Sequence, residues 1–373
     1  MFPIFFKKKT NIVFLAMFFV SVILEISFRV SSDFSEFFCL YISQYLRYIY
    51  LPFSLLPFAF SESLIIVFIL MSLVLFLLVI IKAFSIALEK EFKSHLRTIC
   101  KWFLRVGIIV IFLFSTTFSS AYHRKPLEKL LDLETIEVTE EKLEYATVFA
   151  LERLYEISEY IDYSHGHETT HELDFNALSH EVEQCVNTAA SRYGFLHKSG
   201  IQAKPLAFSS PLTYTHISGI YTFFTGEPCI NINYPHYSVP YTMAHEYAHQ
   251  RGIGHEDEAE FMAFLILLES RNPYLYYSAW MQSYVILSNA LYKINPEKAL
   301  SITAALPPVA LNDFGVYARD YTKYIDSTVG KVAKSVNDTY LKANGVDEGI
   351  ESYDSGVVLL VSFIHKHSNG GQS

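Results

Sequence analysis

Cysteine is scarce in this chain and nowhere paired at short range. Cys39, Cys100, Cys185 and Cys229 include no C-x-x-C spacing, which excludes a cysteine-built zinc site. Cys185 and Cys229 could join if their part of the chain lies outside the cytoplasm, a point that spacing alone does not decide. Charge is thin as well, at 18% of residues. Beyond residue 121 it is of the wrong sign for nucleic acid: 18 basic residues face 32 acidic ones, so nucleic acid is excluded as a partner. No apolar run after Ala121 is long enough to cross a bilayer. The tail Val357-Val358-Leu359-Leu360-Val361 is too short and reads as part of a packed terminal helix.

What is abundant is apolar and aromatic surface, 51% and 16% of the 373 residues, and the surplus lies in the first third. Lys7-Lys8-Lys9 precede an apolar run over 11–30 that is long for a signal peptide and lacks a small-x-small cleavage site, so it reads as a retained span. Glu25 and Arg29 fall near its end, where an interface tolerates them. Residues 62–83 form the most continuous apolar run, and 102–120 form another. Between the first two spans, 37–58 is rich in aromatics and carries Arg47, Pro52 and Pro57, the composition of an interfacial segment. Residues 1–121 hold eleven basic and six acidic residues, concentrated at Lys7–Lys9 and in the stretch from Lys82 to Arg105. The positive-inside rule puts both clusters in the cytoplasm, which needs three spans and leaves everything after about Ser119 outside. The expected organisation is a membrane anchor over 1–121 followed by an extracytoplasmic domain over 122–373.

The second part reads as mostly helical, an α+β domain. Apolar residues recur at helical spacing over 140–160, 176–193, 274–291, 311–325, 329–343 and 353–366. Short β-type runs at 205–208, 217–224 and 229–233, broken by Pro211, Gly219, Gly226 and Pro228, predict a small antiparallel sheet. Its last strand, 229–233, is expected at an edge beside a cleft, where it could hold an extended peptide. The His-rich stretch 163–171 has no ligand spacing and reads as an exposed loop.

The stretch that carries chemistry is His245-Glu246-Tyr247-Ala248-His249, which reads H-E-x-x-H. On a helix, residues i and i+4 share a face, so two imidazoles can grip one ion. Neutral imidazole suits zinc, and Glu246 can reach a water on that ion without ligating it. Gly252 and Gly254 end the helix. A catalytic zinc takes a further protein ligand and keeps one position open, and three candidates follow: His255, Glu256 and Glu258. His255 completes H-E-x-x-H-x-x-G-x-x-H, the metzincin pattern, but no Met-turn follows. Glu256 begins E-x-x-A-E, which is similar to the gluzincin pattern: a glutamate ligand with an acidic residue four positions on, here Glu260, that can orient a ligand histidine. Glu256 is the first choice and Glu258 stays open because the helix phase is uncertain by a residue or two. Asp320, Tyr321, Asp338 and Tyr340 are candidates to reach the cleft, where a tyrosine could stabilise an oxyanion.

On Gly219-Ile220-Tyr221, Phe224-Thr225-Gly226-Glu227, His245 to Gly252, Glu256 to Phe261, Asn337 to Lys342 and Ser352-Tyr353, the chain resembles an uncharacterised bacterial family of membrane-anchored, zincin-like proteins placed among the H-E-x-x-H metallopeptidases. The resemblance covers nearly the whole chain. It implies a zincin-like domain in a bacterial cell membrane, and Arg is common in the family where His255 stands, which counts against His255 as a ligand. The expected function is a membrane-anchored zinc-dependent metallopeptidase with one Zn2+ per chain on His245, His249 and Glu256, and Glu246 as general base. Its partners would be a peptide or protein substrate and the lipid bilayer. The alternative is a catalytically inactive zinc-binding membrane scaffold that binds a partner peptide or protein and has no need of a base at 246.

Overall fold

Where some twenty consecutive residues are apolar, a helix is the one local structure that satisfies its own backbone without water, and the N-terminal third adopts it three times. The computed structural model describes residues 2–84, 89–197, 200–325, 327–344 and 355–370. Among them the helices Phe2–Val30, Phe60–Phe84 and Glu89–Thr117 contain Thr10–Val30, Phe60–Ile81 and Leu96–Thr117, each long and apolar enough to cross a membrane. The first and third pack together, whereas the second has none of its apolar window buried by protein.

Residues 32–54 form a strap of short helical turns between the first two of these helices. Its first helix, Ser32–Phe38, starts at Ser31, whose side chain accepts from the Phe34 N–H. The strap has two faces. Phe38, Cys39, Ser43 and Tyr50 are buried, while Tyr41, Tyr45, Tyr48, Ile49 and Leu51 are exposed. An interfacial segment was expected at 37–58; the buried face of the strap rests on the rest of the protein.

The remaining helices enclose one core. Glu140–Ser158 is capped by Thr139 and Phe175–Tyr193 by Asp174, each side chain accepting from the third following N–H. Glu256–Leu267 is buried on all sides from Phe261 to Leu267, the pattern of a helix at the centre of a core. Pro273–Ile294, Val239–Gln250 and Ser355–Gly370 pack around it. A short helix at Pro296–Ala304 has no counterpart in the sequence reading, and Ala299 and Ile302 place it in the same core. The loop 163–171 is tied down: Asn312 binds the Gly166 N–H and the His167 carbonyl, and Asp313 binds Thr169. Ser352 and Tyr353 lie outside the described residues.

The sheet corrects two expectations. Strands β1 (Lys204–Pro205), β2 (Gly219–Thr222) and β3 (Glu227–Ile230) lie in the order β1-β3-β2. It is mixed, not antiparallel, because β1 runs parallel to β3. The strand before the motif is central rather than an edge. Glu227 explains why: its carboxylate is fully buried against Lys204 at 3.1 Å and accepts from the Phe60 and Ser61 N–H groups, which draws β3 inward under the second apolar helix. The edge beside the cleft is β2. Cys185 and Cys229 are separate buried thiols and form no disulfide.

Candidate metal centre

The motif helix, Val239–Gln250, has Pro240 in its first turn, where no intrahelical donor is missed. It ends at Gly252, whose φ of 97° suits glycine; a Cβ there would lie 2.9 Å from Cys39 Sγ and 3.0 Å from His197 Nε2. The chain then turns back into Glu256–Leu267, whose N-cap is His255. That short return lays the first turn of one helix against the last turn of the other.

Glu256 is thereby placed between the two histidines. His245 Nε2 and Glu256 Oε2 are 3.1 Å apart, His249 Nε2 and Glu256 Oε2 3.4 Å, and the two Nε2 atoms 3.1 Å. A tetrahedral ion with bonds of about 2.0–2.2 Å has ligand–ligand edges of about 3.3–3.6 Å, so the triangle is close to the size a metal requires. The Ile253 carbonyl, 2.8 Å from His249 Nδ1, takes the proton on that nitrogen, and in the neutral ring the lone pair at Nε2 faces the cluster. Burial opposes charge on His249, but Glu256 and then Glu246 outweigh it and hold the imidazole up to about 9. Burial opposes charge on Glu256 too, yet His249 and His245 hold its carboxyl well below the usual range. Among the described residues this is the one convergent group of three or more His, Cys, Asp or Glu ligand atoms, and it could hold a metal ion.

Glu246 turns away from this triangle toward β2. Its carboxylate is buried, which raises its pKa, and it accepts from the Tyr221 backbone N–H. A Cβ on Gly219 would lie 2.6 Å from Glu246 Oε1 and 2.8 Å from Thr242 Cγ2. Glycine at 219 lets the edge strand pass directly over the carboxylate. Above lies a cleft of about 870 Å³, walled by β2, by Phe118 and Tyr122, and by Val336, Asn337 and Tyr340 of the helix Thr328–Ala343.

The other ligand candidates are occupied elsewhere. His255 Nε2 lies 2.9 Å from the Tyr122 carbonyl and donates to it. Glu258 accepts from the Leu127 N–H at 2.7 Å and caps the turn Leu127–Leu130; burial pushes its carboxyl up to about 7. Glu260 does not orient a histidine through any described contact. Its carboxyl lies beside Gly356 and is pushed up to about 8 by burial, then by Glu256 and Asp257; a backbone carbonyl does the orienting instead. Of the four residues expected to reach the cleft, Tyr340 lines it, with its hydroxyl 3.2 Å from that of Tyr122 and pushed up to about 12 by burial. Asp320 pairs with Arg319, Asp338 with Lys342, and Tyr321 stacks on Tyr317.

Two residues that matter here were not singled out as parts of the site. Arg47 of the strap donates to the carbonyls of Gln250 and Thr117 and to His197 Nδ1. Arg124 donates to the carbonyls of Gly252 and Phe195 and forks onto Glu36. Both cations sit at the negative end of the motif helix, Arg47 on its last carbonyl and Arg124 on a carbonyl of the turn that follows. The signal was present in Arg47, a lone charge in an aromatic segment.

Fold and cluster together define the class: a mostly helical protein with three helices long and apolar enough to cross a membrane, carrying a His-His-Glu group under a cleft. The chain belongs to the family described as "Protein of unknown function (DUF3810)", whose model matches residues 34–361 and so takes in the strap, two of the apolar helices and the cluster. No curated protein and no solved structure matches the chain.

Proposed function

We propose that this protein is a membrane-bound zinc-dependent metallopeptidase acting on the outer side of a bacterial membrane. The observation that carries the reading is the pairing of a three-ligand cluster with a buried carboxylate, Glu246, wedged between that cluster and an edge strand. His245, His249 and Glu256 would hold the ion, and their nitrogen and carboxylate donors suit zinc. A zinc ion supplies Lewis acidity toward a carbonyl oxygen and makes water acidic at about neutral pH.

The chain's own residues do the rest. β2 is an edge strand and, beside its Tyr221 N–H contact with Glu246, can take an extended peptide as a further strand. Glu246, with its pKa raised by burial, takes a proton from the attacking water and returns it to the departing amine. Tyr340, whose oxygen accepts from the Tyr122 hydroxyl, lines the cleft as a hydroxyl donor toward a developing oxyanion. A scaffold with a structural zinc would close the centre with a fourth protein ligand; among the described residues the group has three. The outer placement follows from the basic residues at Lys7–Lys9 and between Lys82 and Arg105.

Glu246→Gln tests the assignment in the full chain in nanodiscs, with a pool of quenched fluorescent peptides. Zinc content should stay near one per chain while hydrolysis falls by about 10²–10⁴. His249→Ala should lose metal and hydrolysis together. Hydrolysis that survives Glu246→Gln defeats the reading.

A further inference from the structure

The cleft lies where the apolar helices end. The third of them finishes at Thr117, whose hydroxyl donates to the Phe223 carbonyl at 3.2 Å just beyond β2. The next residue, Phe118, packs its ring edge-on to His249 with centroids 6.2 Å apart, and Phe114, inside the apolar window, packs on Phe223 at 5.1 Å. The residue directly after the end of a membrane-length helix therefore carries a ring that packs on the cluster. The second helix contributes Ile65, in its second turn, to the cleft wall. That helix exposes Ile65, Val67, Phe68, Ile69 and Leu70, surface that only lipid tails would cover in a membrane.

The opposite rim has the same character. On Thr328–Ala343, Val329, Val332 and Val336 share a face and are 56%, 61% and 65% exposed, with Lys331 and Lys334 exposed beside them. Valines flanked by lysines on one helix are the pattern of a helix lying in a headgroup layer. Its far end is fixed at that level, because Arg29, one residue from the end of the first helix, donates to the Ala343 carbonyl at 3.2 Å. The cleft thus lies between a lipid-facing helix and an interfacial one, with the edge strand β2 running through it.

We propose that the cleft takes its substrate from the bilayer: a polypeptide anchored by its own transmembrane helix, cut in the extended stretch just outside the membrane. The proposal rests on the peptidase reading. Water adds across the amide, the C–N bond breaks as the C–O bond forms, and the proton passes through Glu246 to the new amine. A chain held in the same membrane presents its first extracytoplasmic residues at the height of β2, whereas a distant segment must fold back to reach it. Tethering also raises its effective concentration at the cleft.

The test has two arms, both on the full chain in nanodiscs. The first uses a single-span reporter with a 40-residue extracytoplasmic tail of degenerate sequence, and the same tail without its span; cut sites are read by mass spectrometry. Cuts should cluster within about ten residues of the span, and the free tail should be cut at least about tenfold more slowly. Cuts spread evenly along the tail, or equal rates for the two forms, overturn the proposal. The second arm needs no catalysis. A fluorophore on Val336→Cys, in a Cys100→Ser background, should be quenched by headgroup-labelled lipid as strongly as one on Val30→Cys. One on Leu300→Cys, on the helix Pro296–Ala304, should not be. An unquenched Val336 probe overturns the placement of the cleft even if peptides are cut. A quenched probe with no reporter cut at all overturns the peptidase reading instead, and the substrate with it.

Discussion

The motif helix has two unlike neighbours. Behind it, Met243, Ala244, Tyr247 and Ala248 pack into the apolar core with Phe261, Phe264 and Leu287. There the contact is dispersion and burial, spread over many atoms. At its C-terminal end the neighbours are the strap and the segment after Thr117, and the contact is a few charged donors on backbone carbonyls: Arg47 on Gln250 and Arg124 on Gly252. The first kind of contact holds a helix in place and tolerates substitution. The second fixes the end of the helix at single atoms, next to the turn that carries Glu256. The comparison teaches that both sides hold the helix, while the membrane-side arginines also set the geometry of the cluster.

Breaking the arginine side should have the largest effect. Arg124 has a side chain only 4% exposed, and Arg124→Ala strands the Glu36 carboxylate and two carbonyls. The cost should be about 3–5 kcal/mol of stability, read as a fall in the thermal midpoint in nanodiscs, together with at least a tenfold loss of zinc affinity. The core side gives the contrast. Leu287 is fully buried, and Leu287→Ala should cost about 2–4 kcal/mol by leaving a cavity, with zinc affinity unchanged by titration. Equal loss of zinc affinity in the two variants would erase the distinction.

The core side was largely legible in the sequence. Helical spacing of apolar residues located 140–160, 176–193 and 274–291 to within a few residues of Glu140–Ser158, Phe175–Tyr193 and Pro273–Ile294, because periodicity is a local property. The placing of the two histidines was legible for the same reason, since i and i+4 fix a face, and Glu246 stood out only as the acid of the H-E-x-x-H pattern. The choice among His255, Glu256 and Glu258 turned on helix phase, and only the geometry of the Gly252–His255 return brings Glu256 in and sends Glu258 to Leu127. The membrane side was illegible in detail because its partners are distant in sequence: Arg47 meets Gln250, Arg124 meets Glu36, and Glu227 meets Phe60 and Ser61. Strand order failed likewise, since a run of four residues does not disclose which neighbours it will have.

A substitution on the edge strand separates chemistry from metal binding. A Cβ on Gly219 would press most closely on Glu246 and Thr242. If the protein is the proposed zinc peptidase, Gly219→Ala should keep one zinc per chain and lower hydrolysis by about 100-fold, the penalty for displacing the proposed base by about an ångström. Loss of zinc in this variant would mean that β2 supports the ligands rather than the base.

The smallest effect sharpens the comparison most, because it reads the arginine side without removing an arginine. His197 is fully buried between strap and motif helix, accepting from Arg47 at Nδ1 and facing the Cys39 carbonyl at 2.9 Å with Nε2. Burial, then the charges of Arg47, Arg124 and Arg251, push its pKa well below the ordinary value; Glu36 and Glu183 pair with the last two arginines. In the unfolded chain the same imidazole takes a proton at about pH 6.5. Between that pH and the lower folded value the unfolded state binds one more proton. Stability present above pH 6.5 is therefore lost as pH falls, with a slope of about 1.4 kcal/mol per pH unit from this group. His197→Gln cannot take up the proton. Its denaturation midpoint from pH 7 to pH 5 should fall less steeply than that of the native chain, by about this slope, since the other titrating groups are common to both. Parallel curves would show that the histidine charges within the folded protein, and that the arginines around it do not hold it neutral.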